Sequence, residues 1–173
     1  MPFLEYIPSG WRGTSRTIEH MRALAVKAAR DWGFIKIAAP FANGCPRDFA
    51  CQAQRILAWV KKHIEFIPDP VTAADENGVP QGMEMVQAPL RTIERRAGDC
   101  DDHSGLIAAF AMALGIPAEF ATIKSDVRRP KEFSHVYPRL LIKGQWVGVD
   151  STVPRSYVGW EPEKFTAIQA WRI

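Results

Sequence analysis

The sequence predicts a mixed domain in which amphipathic helices come first and an antiparallel β-hairpin comes late. Three observations carry this reading. Phe49, Ala53, Ile56, Leu57, Val60 and Ile64 recur at helical spacing, the stripe of a helix with one buried face. Leu106 to Leu114 is apolar on every side, which describes a helix buried all round. His135 to Ile142 and Gln145 to Asp150 alternate or favour β-structure on either side of Lys143-Gly144, a tight-turn pair. With 173 residues the chain suffices for one domain with a sizeable core and falls short of two.

Taken in order, residues 1–13 are rich in Pro and Gly and carry Phe3, Tyr6, Ile7 and Trp11, an extended arm expected to pack its aromatics on the body. Thr14 to Trp32 keeps a helical stripe through Ile18, Met21, Ala25, Ala28 and Ala29, with Gly33 as its stop. Phe34 to Ala42 is short, apolar and interrupted by Pro40, so its type stays open. The next helix is expected from Arg47 to Phe66, with Gln52, Gln54, Arg55, Lys61, Lys62 and Glu65 facing water; Pro68 and Pro70 end it. Residues 67–89 hold four prolines, two glycines and little periodicity, and a loop of that length predicts one wall of a site. Leu90 to Arg96 reads as a short helical turn, and Asp99 as the N-cap of the apolar helix that Gly115 and Pro117 terminate. Glu119 to Lys124 favours a strand, and Phe165 to Trp171 closes the chain as either helix or strand.

Composition narrows the function. A 47% hydrophobic and 24% charged chain of net charge +3 is globular, with no basic stripe interleaved with aromatics, so nucleic acid is not the indicated partner. No window approaches a membrane span, and the N-terminus lacks a basic region followed by an apolar one, so no membrane partner and no signal peptide are expected. Cys45, Cys51 and Cys100 are odd in number and match no disulfide framework or zinc set; three reduced thiols in a cytoplasm are expected, the first two structural.

Cys100 is the exception. It stands in the first turn of the buried helix, where unpaired N–H donors and the helix dipole favour a thiolate. Asp99, Asp101 and Asp102 flank it and act in the opposite sense. If Lys143 and Gly144 are the loop residues, opposed positions in the hairpin sum to 287, so Tyr137 faces Asp150 and His135 faces Thr152. His135 and Asp150 then lie diagonally on one face while Val136, Leu140, Ile142, Val147 and Val149 take the core face. Cys100 as nucleophile, His135 as base and Asp150 accepting the Nδ1–H would make a triad. His103, three residues along from Cys100, is the competing base. The spacing of Cys100, Asp102, His103 and His135 matches no usual structural zinc set, so no metal is expected.

Gly-Asp-Cys-Asp-Asp-His-Ser opening an apolar helix, then Leu-Gly-Ile-Pro-Ala, Phe-Ser-His-Val and Gln-Trp-Val-Gly-Val-Asp, resembles the transglutaminase-like superfamily, in particular its small bacterial and bacteriophage members. Trp-Val-Lys-Lys-His-Ile-Glu-Phe-Ile-Pro-Asp-Pro is also similar to theirs. The likeness covers 47–152, leaving 1–46 as an N-terminal arm and helix and 153–173 as a tail of a single domain, 1–173. It implies a papain-like α+β core, with the cysteine at a buried helix N-terminus packed on an antiparallel sheet. It also implies catalytic roles for Cys100, His135 and Asp150. The backbone N–H of Cys100 would donate to the oxyanion, with Gln87 the candidate side-chain donor and Trp59 a second. The implied activity is thiol-dependent acyl transfer on a peptide or glutamine-type amide, hydrolytic as in a cysteine peptidase or amidase, with transfer to an amine and a non-catalytic phage-associated binding or structural module as the alternatives. No cofactor is expected, since the calcium sites of mammalian members have no counterpart. The substrate would be a peptide or protein, and the oligomeric state is left open.

Overall fold

The structure is a computed structural model describing the backbone of residues 3–5, 11–69, 71–74, 80–82 and 84–173 and the side chains within 11–69 and 85–173. Strand β1 (Phe3–Glu5) leads to helix α1 (Trp11–Arg30), which starts before the expected Thr14. Trp11 begins α1 with its ring stacked on Trp171 at 4.9 Å; the expected packing of Phe3, Tyr6 and Ile7 lies outside the described side chains. Ile18, Met21, Ala25 and Ala28 are the buried stripe of α1, as the periodicity requires. Asp31 accepts the Phe34 N–H at 2.9 Å and so caps α2 (Trp32–Ala38). A 3₁₀ turn, Ala39–Ala42, follows with Pro40 in its opening turn, so the ambiguous 34–42 stretch is helical.

Helix α3 (Phe49–His63) is capped by Asp48 and stops short of the expected Phe66, because Ile64 is already extended and Glu65–Phe66 form β2. Gln52, expected on the wet face, is buried and donates its Nε2–H to the Cys45 carbonyl at 2.9 Å. Cys45 and Cys51 are joined as a disulfide, their Cα atoms 5.9 Å apart, which corrects the expectation of reduced thiols and removes its support for a reducing compartment. The turn that leads into the Asp48 cap folds Cys45 back onto the first turn of α3.

The stretch 67–89, expected as loop, contains β3 (Val71–Ala74) and β4 (Pro80–Gly82), an antiparallel pair, and β5 (Glu84–Val86), which pairs with β1. Residues 70, 75–79 and 83 lie outside the description. Helix α4 (Pro89–Arg95) ends at Arg96 in the left-handed region, and β6 (Ala97–Gly98) pairs in parallel with β2. Asp99 then caps α5 (Cys100–Ala113), accepting the Asp101 N–H at 3.1 Å, and Gly115 at φ +80° with Pro117 beyond it ends that helix.

Four strands follow: β7 (Ala118–Ile123), β8 (His135–Ile142), β9 (Gln145–Gly148) and β10 (Ile168–Arg172), in an antiparallel sheet of order β10-β7-β8-β9. Lys143 (φ 52°) and Gly144 (φ 80°) make the turn, Ile142 opposes Gln145 and Arg139 opposes Gly148, the predicted register. The Val149 N–H to Pro138 carbonyl bond (2.9 Å) carries that register past the end of β9 toward Asp150. The tail resolves as a strand on the outer edge of β7. Phe120, Val136, Leu140 and Ile142 belong to one continuous core with α1, α3 and α5. On the other face Glu119 is buried, accepts from Arg139 Nε (2.9 Å) and forms an ion pair with Arg172 Nε (3.3 Å), tying β7, β8 and β10 together. Among the described residues no helix is long and apolar enough to cross a membrane.

Candidate active site

The first turn of α5 bridges the ends of two strands. The Ser104 hydroxyl lies 2.6 Å from the Cys100 carbonyl and 3.1 Å from that of Val136, which fastens the cysteine's turn to the start of β8. On the other side His103 Nδ1 is 2.7 Å from the Ser151 hydroxyl, just beyond the end of β9. Cys100, outside the disulfide and of intermediate exposure, thus stands at the end of the sheet where His135 begins one strand and Asp150 follows the other.

His135 and Asp150 are in contact: Nε2 lies 2.8 Å from Asp150 Oδ2. The nitrogen differs from the expected Nδ1. Asp150 is a diagonal step away across the hairpin, so the far nitrogen of the ring reaches it and Nδ1 is left for another partner. The second carboxylate oxygen accepts the Thr152 N–H (2.9 Å) and hydroxyl (2.7 Å). Burial pushes the Asp150 pKa up, but the bonds from His135 and Thr152 outweigh it and hold the carboxyl below its usual range. Tyr137, two residues along the strand, lays its ring 20° from the plane of His135 at 6.0 Å and donates its hydroxyl to Glu161. Burial and the Glu161 carboxylate push that phenol pKa up, so it stays a donor. The loop carrying Glu161 lies directly on β9, where a Cβ on Gly148 would come within 2.4 Å of the Trp160 carbonyl oxygen.

The flanking aspartates are mostly spoken for. Asp99 caps the helix. Asp102 turns inward, accepting the Gln87 backbone N–H at 2.7 Å and its side-chain amide. Burial is the main reason the Asp102 pKa rises to about 7; the Gln87 bonds oppose it. Gly98 permits this approach, because a Cβ there would meet Asp102 Cβ at 2.5 Å. Carboxylate oxygens of Asp99, Asp101 and Asp102 lie within 4.8 Å of one another, a grouping of three metal-type ligands, but Asp99 and Asp102 already serve N–H donors.

Two expected oxyanion donors are placed elsewhere. Gln87 is buried, its Nε2 directed at Asp102 and the Ala97 carbonyl (3.2 Å) and its Oε1 accepting from Arg95 (3.0 Å), so the amide is a clamp with no donor to spare. Trp59 packs edge-on against Phe110 at 5.6 Å and stacks on His63; Phe110 is ten residues along α5 from Cys100, about 15 Å of helix. His103, the competing base, is buried, and desolvation lowers its pKa. Sequence reasoning missed Ser104, Thr152 and Tyr137 as site supports. Their signals were positional, since Ser104 is one turn from Cys100, and Thr152 and Tyr137 are each two residues from a triad candidate.

The family model of the transglutaminase-like superfamily matches residues 35–151, and the chain belongs to that superfamily. Its mixed α+β, papain-like core recurs in solved structures. An inferred cysteine protease from Cytophaga hutchinsonii aligns at TM-score 0.51 and 20% identity over 80% of this chain and 49% of its own. An inferred protease from Parabacteroides distasonis aligns at TM-score 0.54 and 11% identity over 78% of this chain and 26% of its own. The chain therefore spans about half of the first structure and a quarter of the second. No curated protein matches the sequence.

Proposed function

We propose that Cys100, His135 and Asp150 carry out thiol-dependent acyl transfer on a peptide or glutamine-type amide of a peptide or protein substrate, with water as the acceptor: a cysteine peptidase or amidase. The contact between His135 and a buried Asp150 beside the N-terminus of α5 is the observation that carries this. With Nε2 engaged by Asp150, Nδ1 is the nitrogen that takes the thiol proton, giving a thiolate–imidazolium pair. The sulfur attacks the carbonyl carbon and an S–C bond forms. The carbonyl electrons move to oxygen, where the backbone N–H of Cys100, first residue of α5 and outside the helix ladder, donates a hydrogen bond. Collapse breaks the C–N bond, and the imidazolium proton leaves with the amine. Water then attacks the thioester with His135 as base, releasing the acid and restoring the thiol. Hydrolysis needs no second binding site, which favours it over transfer to an amine.

Intact-mass analysis of a peptide library, with and without a primary amine, tests the reading. Shortened or deamidated peptides from the wild type and none from Cys100→Ala are expected. Amine adducts would move the protein to the transglutaminase branch. Unchanged peptides, together with Cys100 alkylating at pH 6 no faster than a free thiol, would leave a non-catalytic binding module.

A further inference from the structure

The segment that follows Asp150 is fastened to α3, β9 and β8 in turn. The Ser156 hydroxyl donates to the Asp150 carbonyl, and Lys61 Nζ on α3 donates to the carbonyls of Pro154 (3.1 Å) and Ser156 (2.6 Å). The Gly159 N–H then donates to the Gly148 carbonyl (2.8 Å). Val149 bonds back to β8, so by the alternation of an antiparallel strand the Gly148 carbonyl faces the outer edge of β9. From that edge the chain reaches the second face of the sheet, where Glu161 accepts the Tyr137 hydroxyl. Tyr137 is fully buried and shares that face with His135, two residues away. Residues 151–161 therefore begin beside the carboxylate that holds His135 Nε2 and end at the acceptor of the phenol laid along its ring. The family match stops at residue 151, and all but the first residue of this segment lies beyond it.

His135 is tied to its backbone through Cβ and to Asp150 through Nε2. Rotation about the line between those points breaks neither tie and sweeps Nδ1 sideways. A flat group alongside the imidazole resists that rotation, and the Tyr137 ring, 20° from its plane at 6.0 Å, is such a group. The phenol keeps its place because a buried hydroxyl without an acceptor is costly, and Glu161 is the acceptor. We propose that residues 151–161 form a strap that fixes the pose of His135, with Glu161 as its positioning residue: by holding the Tyr137 hydroxyl it keeps the imidazole plane in which Nδ1 meets the Cys100 thiol. Arg139 and Asp150 are the other charged groups that act on Tyr137, and Lys61 is a cation whose field reaches Asp150. The inference rests on the Cys100 reading above and adds to it a residue that touches neither the thiol nor the substrate.

Alkylation of Cys100 by iodoacetamide, followed by intact mass from pH 5 to pH 10, tests it, with Cys45 and Cys51 held in their disulfide. The rate at pH 6 measures thiolate held by the imidazolium. The rate at pH 10, above the ordinary thiol pKa of about 8.5, measures a thiolate that needs no base. Glu161→Ala and Tyr137→Phe should each slow the pH 6 reaction about tenfold and leave the pH 10 reaction within about twofold, because only the pose of the base has changed. Glu161→Gln, whose amide oxygen still accepts from the phenol, should stay within about threefold of the wild type at pH 6. The double variant of Tyr137→Phe and Glu161→Ala should be no slower than either single one, since both delete one shared bond. Wild-type rates at pH 6 in the two single variants overturn the strap. So do equal losses at pH 6 and pH 10, which mark a general loosening of the fold, and so does a Glu161→Gln variant as slow as Glu161→Ala, which makes the charge and not the bond the cause. All three results leave fast wild-type labelling at pH 6, and the Cys100 reading with it, standing. Wild-type labelling at pH 6 no faster than that of a free thiol overturns that reading, and the role of the strap falls with it.

Discussion

Two histidines flank the first turn of α5 in opposite environments. His135 lies on the sheet side, its side chain 19% exposed, with Nε2 on a buried carboxylate that can balance a positive ring. His103 lies on the helix itself, 2% exposed, between the Ser151 hydroxyl at 2.7 Å and the Glu65 carbonyl at 3.5 Å. Desolvation pushes the His103 pKa down, so its ring is a neutral strut between α5, β2 and the end of β9. On the proposed mechanism the difference splits one residue type into base and brace. A base needs a carboxylate partner and an open side from which a proton can arrive; a brace needs neutral partners and no water.

The largest effect that sharpens this contrast is on thiol reactivity. Asp150→Asn and His135→Ala should each slow pH 6 alkylation of Cys100 by about 10²–10⁴-fold, because the imidazolium that holds the thiolate is lost or mis-oriented. His103→Gln should slow it by less than about tenfold, acting only through small shifts of the Cys100 turn. Comparable losses from His103→Gln and His135→Ala would erase the distinction and make His103 part of the chemistry.

What could be read in advance follows the same division between local and distant causes. A two-residue turn dictates every opposed pair beyond it, so Lys143-Gly144 sufficed to bring His135 near Asp150. The Asp99 cap was equally local. The end of α3 was not: Ile64 continues the helical stripe, and extended structure wins at Glu65–Phe66 because Ala97–Gly98 offers a ladder from over thirty residues away. Nor does spacing say that Asp101 and Asp102 are both buried while Asp99 is not, or which of the two meets Gln87. Asp102 does, because Gly98 leaves room for it and Gln87 meets it with two donors, and that contact converts an expected oxyanion donor into a clamp. Gln52 and the Cys45–Cys51 link escaped for a related reason, since the turn before Asp48 folds back on α3.

A smaller effect bears on the brace. His103→Ala removes the partner of the Ser151 hydroxyl and opens a void under the Phe66 ring. Urea unfolding should show a loss of about 1–3 kcal/mol, the cost of a buried hydrogen bond plus some packing. His135→Ala, at a wetter site, should cost less. The reverse order would mean that His135, and with it the His135–Asp150 contact, is the main structural tie at this end of the sheet.

The last effect is a pH slope, and it separates His103 from its helix neighbour Asp102 by sign. His103 has a folded pKa below its unfolded value near 6.5, so the unfolded chain binds more protons and stability falls as pH drops below about 6.5. Asp102 has a folded pKa raised to about 7 from 3.8, so the folded chain binds more protons and stability rises as pH drops from about 7 toward 4. Between pH 7.5 and 5 the two oppose each other in the wild type. Asp150, held low, stays ionised in the folded state over that window and adds little. Urea unfolding at pH 7.5 and pH 5 should therefore show opposite departures. His103→Gln, keeping only the Asp102 contribution, should gain stability on acidification relative to the wild type. Asp102→Asn, keeping only that of His103, should lose it. If both variants shift in the same direction, His103 is not buried as a neutral ring, and the division between base and brace loses its physical ground.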